Sequence, residues 1–397
     1  MFLGEPMRKF SGSLVVIMAL VFVLGAFAAC SESVPAVKDQ RVEHDEKFGG
    51  VYICITIDDF NALGYEFGDS VKITFSTGYV LEDIPYYNGY YVDMGEPLLV
   101  GYPGYPYIRA GFNNGKDMWE DAGLFKAMLT APGDLWFTAN ASEGCTATVE
   151  LNEKGKYLAI QRARDIHYSD EQGDKTDAEF ANFRAVNVGN LKENVLYRSA
   201  SPCDNQHKRA AVSDRLISAA GVNFIVNLAD DETELQSHIA RSDFNSPHFL
   251  SLYSAGKVIP LSMNMVYNSA EFSEKLVRGL TAMAESDGPY LVHCVEGKDR
   301  TGYVCMVIEA LAGASYQEMV DDYMVTYANY YGITKAGDKE RYDVIKEKNI
   351  DIFLAYLAGD GADIERADYS VAATNYLKGL GMADAKIEQL KTKIINN

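Results

Sequence analysis

The ten residues HCVEGKDRTG, from His293 to Gly302, are the most informative stretch of the chain for its fold and its chemistry. A short apolar run typical of a buried strand precedes them, and an apolar segment with helical spacing follows. The order strand, loop, helix predicts that loop N–H groups and the positive end of the helix converge on one point, where an anion binds without a metal ion. Gly297 permits the tight curvature of such a loop. Residues 293–302 are called the cysteine loop below.

Cys294 is the candidate nucleophile of the cysteine loop. Amide donors and a helix start that hold a phosphate also stabilise a thiolate, which can attack phosphorus. Arg300, which follows Cys294 after five intervening residues, can hold two equatorial oxygens through its planar guanidinium and follow them into the transition state. The Thr301 hydroxyl is a candidate donor to the departing sulfur. The predicted phosphate-binding residues are His293, Val295, Glu296, Gly297, Lys298, Asp299 and Arg300.

The cysteine loop resembles the Cys-x5-Arg signature of the cysteine-dependent protein tyrosine phosphatase superfamily. It is most similar to a secreted bacterial branch with Gly-Lys-Asp-Arg-Thr in the loop, whose activities extend to phosphoinositides. The similarity runs from about Asn182 to the C-terminus and includes Leu196–Pro202 and Asp321–Met324. It implies a phosphatase that forms a cysteinyl-phosphate without cofactor or metal, and it does not cover residues 49–161.

A general acid must protonate the leaving oxygen. The resemblance places it after the strand that matches Phe224–Leu228, which Asp230 and Asp231 follow here. Asp230 is the first candidate and Asp231 the second, while Asp299 inside the cysteine loop is the third. Where some relatives have an aspartate in the strand, this chain has Asn227. The alternative is that the two neighbouring aspartates form a solvated turn or helix start.

The substrate is less well defined by the sequence than the reaction. Phosphotyrosine in proteins is the first expectation, and Lys298 favours phosphoinositides or inositol polyphosphates if it does not simply face solvent. A catalytically weak phosphate-binding surface lipoprotein is one rival, which Asn227 favours. Persulfide transfer is a weaker rival, because Arg300 and Thr301 fit phosphate better.

The first thirty residues indicate export. Arg8 and Lys9 precede a mostly apolar run from Ser13 to Ala29, and small residues lead into Cys30. This pattern predicts a lipoprotein signal peptide over residues 1–29 and a lipid anchor on Cys30, at the cell membrane or cell surface. Cleavage to a free protein and retention as a membrane anchor are the alternatives.

The domain organisation is predicted from the composition and from the pattern of apolar runs and turn residues along the chain. Residues 30–48 are polar and predict a tether. Residues 49–162 alternate turn signals with β-favouring runs such as Val71–Phe75 and Tyr157–Ile160, which predicts a small mostly β domain of unknown role, with adhesion or ligand capture as one possibility. Residues 163–397 alternate strand and helix patterns and predict an α/β phosphatase domain, a central sheet flanked by helices. Strands are predicted at 195–198, 224–228 and 290–293, and helices at 209–220, 270–286, 301–312 and within 370–395.

Charge and cysteines narrow the possible partners. The net charge of −20 disfavours nucleic acid. The six cysteines contain no zinc pattern, so no metal is expected. Cys54 and Cys145 predict either a disulfide or two buried thiols. The family's loop arrangement also implies that Cys203 lies near Cys294 and could form a protective disulfide with it.

Overall fold

The computed structural model describes residues 34–396, apart from positions 47, 94, 114–115, 125–126, 132–133, 138–143 and 265. From Pro35 onward the chain forms one compact unit. The predicted signal peptide and Cys30 lie outside the described residues. Within the described part, no helix has both the length and the apolar character that crossing a membrane requires.

The N-terminal part is dominated by strands. Its elements are β1 (Val37–Asp45), β2 (Gly50–Ile53), α1 (Ile57–Ala62), β3 (Ser70–Phe75), β4 (Val80–Tyr87), β5 (Pro97–Val100), β6 (Ile108–Phe112), α2 (Met118–Asp121), β7 (Ala127–Ala131), β8 (Asp134–Phe137) and β9 (Thr146–Glu153). Seven strands close a barrel in the order β1-β2-β6-β5-β4-β3-β9, and β7 pairs with β8 alone. In β3 the alternate residues Val71, Ile73 and Phe75 are buried, because successive side chains of a strand point to opposite faces.

The prediction of a tether over residues 30–48 is wrong for Val37–Asp45, which form β1. This strand reads as polar, but Val37 and Val42 are buried, and both β2 and β9 pair with it. Asp45 is buried as well, because Arg109 Nε donates to its carboxylate at 2.8 Å. Long-range pairing therefore makes a largely polar segment one strand of the barrel wall.

The segment that follows the last barrel strand is a helix and not the predicted strand. Tyr157–Ile160 was expected to be a strand, but Leu158–Arg164 forms helix α3. A short apolar run does not distinguish a strand from a buried helical turn. The predicted boundary between residues 162 and 163 falls inside this helix, which joins the two parts of the chain.

The C-terminal part contains five strands and most of the helices in the described residues. Its elements are α4 (Asp177–Phe180), β10 (Arg184–Ala185), β11 (Leu196–Ser199), α5 (Ala210–Ala219), β12 (Phe224–Asn227), α6 (Glu232–Ile239), α7 (Pro247–Ser254), β13 (Val258–Pro260), α8 (Ala270–Glu285), β14 (Tyr290–His293), α9 (Asp299–Leu311), α10 (Tyr316–Tyr331), α11 (Lys339–Ile345), a π-helical turn (Lys346–Asp351), α12 (Ile352–Ala358), α13 (Tyr369–Gly379) and α14 (Asp384–Ile394). The sheet has the order β10-β11-β14-β12-β13, and only β10 is antiparallel.

Helices cover both faces of this sheet, as predicted. Along β14, Leu291 packs with residues of α5, α6 and α7, whereas Tyr290 and Val292 pack with residues of α8, α9 and α10. Both faces of a parallel sheet are buried in this way. The predicted strands and helices of this part agree with the observed ones to within about two residues at each end, a difference expected of helix termini.

The five cysteines in the described part of the chain are unbridged. Cys54, Cys145, Cys203, Cys294 and Cys305 are all free thiols. Cys54 and Cys145 are therefore two thiols, but each is half-buried and not buried as the second alternative predicted. The protective disulfide between Cys203 and Cys294 is not formed either.

Candidate active site

The cysteine loop lies at the centre of the sheet edge. Strand β14 runs between β11 and β12, and all three are parallel, so their carboxyl ends meet where the loop begins. Two neighbouring connections hold the loop: Leu228 N donates to His293 O at 2.8 Å, and Ser201 N donates to Val295 O at 2.9 Å. Helix α9 starts at Asp299, inside the loop, which places its positive end there. This is the predicted anion-binding geometry.

Gly297 is required for the close approach of the loop to β11. Its φ is +67°, and a Cβ at this position would lie 2.2 Å from Ser199 O. Any other residue would strain the backbone and displace β11. The sequence prediction assigned the glycine to curvature alone, and the contact with Ser199 adds a second reason.

The carbonyl groups of the loop are bound on its outer side. Arg198 Nη2 donates to Gly297 O at 3.0 Å and to Lys298 O at 3.3 Å. Asn182 Nδ2 donates to Gly297 O at 3.2 Å, and Tyr330 Oη donates to Glu296 O at 2.6 Å. Because N–H and C=O of one peptide point in opposite directions, outward carbonyls turn the loop N–H groups inward. The site is thereby preorganised for an anion.

A buried ion network supports Arg198. Its Nη1 donates to Asp322 Oδ2 at 2.5 Å, and Arg184 Nε donates to Asp322 Oδ1 at 2.8 Å. Burial opposes ionisation of Asp322, but the charges of Arg184 and Arg198 hold the pKa of its carboxyl well below its usual range. Nearby Glu309 has a pKa well above its usual range, because it is buried and faces Asp322. The sequence segments containing Arg198 and Asp322 resembled the phosphatase family, but only the fold brings the two residues together.

Cys294 and His293 are both buried. Cys294 is 4% exposed, at the end of β14. His293 Nδ1 donates to Cys294 O at 3.2 Å, in the tautomer that this contact requires. Burial lowers the pKa of His293 to about 4, although the nearby charge of Asp230 opposes that shift. A neutral His293 therefore orients the backbone of Cys294.

Arg300 reaches across to the connections that follow β12 and β13. Its Nη1 donates to Met263 O at 3.1 Å and to Leu228 O at 3.3 Å. Among the described residues Nε and Nη2 have no partner, so they are available to a bound phosphate. The Thr301 hydroxyl is buried and has no partner within the described chain, which leaves it free to donate to sulfur.

The structure separates the three candidate acids. Asp230 is 5% exposed and lies in a buried network: its Oδ2 accepts from Asn227 Nδ2 at 2.9 Å and lies 3.7 Å from Cys203 Sγ, and its Oδ1 is 3.3 Å from His238 Nε2. Asp231 is the N-cap of α6, where it accepts from Glu234 N at 2.8 Å. Asp231 thus has the helix-start role that the sequence left open.

Asp299 differs from Asp230 in its exposure and from Asp231 in its place within the cysteine loop. Its side chain is 39% exposed, and its Oδ2 lies 3.7 Å from Lys298 Nζ. Tyr323 Oη is 3.5 Å from Asp299 Oδ1, at the limit of a hydrogen bond. Of the three aspartates, it alone combines a place in the cysteine loop with access to solvent.

Lys298 does not face solvent. Its side chain is 17% exposed, and its Nζ lies 3.1 Å from Glu296 Oε2 and donates to Tyr331 Oη at 3.1 Å. Burial alone would lower the pKa of Lys298, but the charge of Asp299, followed by those of Tyr327 and Glu296, raises it well above its usual range. Part of the cation is thus neutralised within the loop.

An aromatic layer covers the Glu296 side of the loop. Tyr168, from the segment after α3, donates to the Glu296 carboxylate and stacks on Tyr330 with ring centroids 5.0 Å apart. Arg209 lies over both rings, at 4.7 Å and 5.0 Å from their centroids. These residues were missed from the sequence, because their contacts join segments that lie from 41 to 162 residues apart.

This geometry defines a class. A cysteine and an arginine separated by five residues, on a loop between a central parallel strand and a helix start, are typical of the phosphate site of a cysteine-dependent phosphatase. A model of the tyrosine phosphatase family matches residues 179–396, more than half of the chain. The chain therefore belongs to the tyrosine phosphatase family, and it is a protein tyrosine phosphatase.

Individual relatives are distant. A tyrosine-protein phosphatase of Nostoc commune is 27% identical over 205 residues, which cover 45% of this chain and 68% of the relative. A structure of P. aeruginosa TpbA bound to pTyr, in which a cysteine is replaced by serine, is 19% identical with a TM-score of 0.26 and covers 49% of this chain and 96% of its own. The core catalytic domain of the PP-IP phosphatase SIW14 from S. cerevisiae, in complex with citrate, is 19% identical with a TM-score of 0.25 and covers 43% of this chain and 92% of its own. The family model, rather than these low scores, carries the assignment.

Proposed function

We propose that this protein hydrolyses phosphotyrosine in proteins through a cysteinyl-phosphate on Cys294. The inward-facing amides of the cysteine loop, fixed by Arg198, carry this proposal, because they hold a phosphate dianion directly over the sulfur. The Cys294 thiolate attacks phosphorus, an S–P bond forms, and the bond from phosphorus to the leaving oxygen breaks. Arg300 binds two equatorial oxygens of the phosphoryl group during this step.

We infer that Asp299 gives its proton to the leaving oxygen. Both oxygens of Asp230 are in contact with buried polar groups, and Asp231 caps a helix, which disfavours both as acids that must reach a substrate. In the second step, Asp299 takes a proton from water as the water oxygen attacks phosphorus. The S–P bond then breaks, inorganic phosphate leaves, and the Thr301 hydroxyl donates to the departing sulfur.

The partial neutralisation of Lys298 favours phosphotyrosine over inositol polyphosphates and phosphoinositides. Its contacts with Glu296 and Asp299 reduce the charge available to a second phosphate at the loop. The alternative of a catalytically weak phosphate-binding lipoprotein rested on Asn227. Asn227 donates to Asp230 within the buried network, and with Asp299 as the proposed acid it has no part in proton transfer. The preferred reading is an active phosphotyrosine phosphatase.

We also propose export as a lipoprotein anchored at Cys30. Arg8, Lys9 and the apolar run before Cys30 support this location. Fractionation of cells that express the full chain or Cys30→Ala tests it. The full chain is expected in the membrane fraction and Cys30→Ala outside it, and equal distribution of both would overturn the anchor.

Phosphate release tests the activity. The full chain and Cys294→Ser are compared on a phosphotyrosine peptide, a phosphoserine peptide, a phosphoinositide and inositol hexakisphosphate. Release is expected to depend on Cys294 and to be fastest with phosphotyrosine. Faster release from inositol hexakisphosphate than from the phosphotyrosine peptide would show that the proposed substrate class is wrong. Binding without release for every substrate would favour the catalytically weak phosphate-binding lipoprotein.

A further inference from the structure

A cavity of about 360 Å³ lies where the barrel meets the phosphatase domain. Tyr90, Tyr91 and Asn113 of the barrel part form one wall, and Lys298 and Asp299 of the cysteine loop belong to another. Arg164 at the end of α3 and Lys348 of the π-helical turn also line it. We call this space the junction cavity. It brings barrel residues next to the proposed acid.

The junction cavity is built on packed elements. Helix α3 packs on α11, and Arg341 Nε donates to Arg162 O at 3.0 Å across the contact. On the barrel side, Tyr90 Oη accepts from Arg109 Nη1 at 3.0 Å and lies 2.9 Å from Tyr105 Oη. A site held by such contacts is preorganised, so a ligand loses less free energy in ordering it.

The charges of the junction cavity favour an anion. Asp299 is the only carboxylate among the described lining residues, and with Glu296 it balances the charge of Lys298, so Arg164 and Lys348 supply the excess of cationic charge. The whole chain carries a net charge of −20, so this excess of positive charge is local. It would attract an acidic group selectively to this place.

Arg164 is the strongest indication of a missing partner. Its side chain is half-buried, its Nε is buried without a hydrogen-bond acceptor, and it forms no ion pair with any described residue. A buried donor without an acceptor is unfavourable, and guanidinium groups bind carboxylate and phosphate oxygens in pairs. Lys348 is paired only at the surface, at 3.3 Å from Glu347. The two terminal nitrogens, Nη1 and Nη2, also have no acceptor among the described residues, so an anionic oxygen in the cavity would pair with this end of the guanidinium.

The position of Asp299 indicates which part of the substrate enters. If Asp299 protonates the leaving oxygen, the rest of the substrate passes this carboxylate, and the junction cavity lies on that side. We propose that the junction cavity is a second anion subsite, in which Arg164 and Lys348 bind a carboxylate or phosphate of the same protein substrate, near its phosphotyrosine. This inference rests on the proposed function and gives the barrel a role in substrate selection.

Three phosphotyrosine peptides test the subsite: one with neutral flanking residues, one with glutamates and one with an additional phosphoserine. For the full chain, kcat/KM is expected to be about tenfold higher with either acidic peptide than with the neutral one, as for one good charge-assisted contact. Arg164→Gln and Lys348→Gln should reduce this ratio towards one. Arg162→Gln, an exposed arginine on the same helix that is absent from the cavity lining, should retain it. A preference for one acidic peptide alone would identify the source of the charge as carboxylate or phosphate.

Binding separates failure of the subsite from failure of the proposed function. In the Cys294→Ser chain, adding Arg164→Gln should weaken affinity for the preferred acidic peptide about tenfold, by calorimetry. If the parent chain shows no turnover but Arg164→Gln still weakens binding, the proposed function is overturned and the subsite is not. The subsite is overturned if affinity and the kcat/KM ratio are unchanged in both cavity variants. It is also overturned if Arg162→Gln loses as much of the preference for acidic peptides as the cavity variants do.

Discussion

Arg198 and Asp322, which are 124 residues apart in the sequence, form a buried ion pair at 2.5 Å directly behind the cysteine loop. The same guanidinium binds the Gly297 and Lys298 carbonyls. Stability of the interior and orientation of the phosphate-binding amides therefore depend on one side chain.

Arg198→Met tests this dependence. Removing one partner of a buried ion pair costs about 3–5 kcal/mol of the free energy of unfolding, and the released loop should also lower kcat. Chemical unfolding and phosphate release measure the two effects. Arg215→Met is the control, because Arg215 and its partner Asp177 are exposed, and it should change stability by less than about 0.5 kcal/mol. Equal effects of both substitutions would contradict the supporting role of Arg198.

Gly297→Ala should abolish most activity. The added Cβ would meet Ser199 O at 2.2 Å at a backbone φ of +67°, so the loop or β11 must move. The matched control is Gly379→Ala in α13, where a Cβ meets nothing within 4 Å and helix propensity predicts a gain of about 0.5–1 kcal/mol. Phosphate release and thermal unfolding are measured for both. Full activity of Gly297→Ala would show that the loop tolerates another geometry.

Asp299→Asn should slow hydrolysis in proportion to the basicity of the leaving group. A positioned general acid contributes about 10²–10⁴-fold, and the loss should be large with phosphotyrosine and small with p-nitrophenyl phosphate, whose leaving group needs little protonation. Asp231→Asn, at the helix cap, should not produce this dependence on the leaving group. If Asp230→Asn produced it and Asp299→Asn did not, the acid would be Asp230.

His293 predicts a pH dependence of stability. Its pKa falls from 6.5 to about 4 on burial, so between these values the unfolded chain binds a proton that the folded chain does not. The free energy of unfolding is then complete above pH 6.5 and decreases as pH falls, by about 2 kcal/mol between pH 7 and 5. Urea unfolding of the parent and of His293→Asn at both pH values measures it. The same decrease in His293→Asn would assign the effect to other groups.

Local sequence signals predicted the strand, loop and helix around Cys294. The cysteine loop, β14 and α9 lie together in the chain, so spacing and turn residues were sufficient to place Cys294 and Arg300. The C-terminal helices were predicted for the same reason, from their apolar spacing and the break between α13 and α14.

Features that depend on long-range contacts could not be predicted. Strand β1 looked like a tether, because its polar residues are stabilised only by pairing with β2 and β9. The run at Tyr157–Ile160 was predicted to be a strand, but most of it lies in helix α3, which packs on α11. The contacts of Asp230 and Asp299, which support the proposal of Asp299 as the acid, also arise only in the folded chain.

The central claim is that Cys294 carries the phosphoryl group. Rapid acid quenching of the full chain during turnover of a phosphotyrosine peptide, followed by mass spectrometry of the tryptic peptides, tests it most directly. We predict one phosphate on the peptide that contains Cys294 and none in Cys294→Ser, which should also release no phosphate. Turnover by Cys294→Ser, or a phosphate on a different residue, would contradict the mechanism.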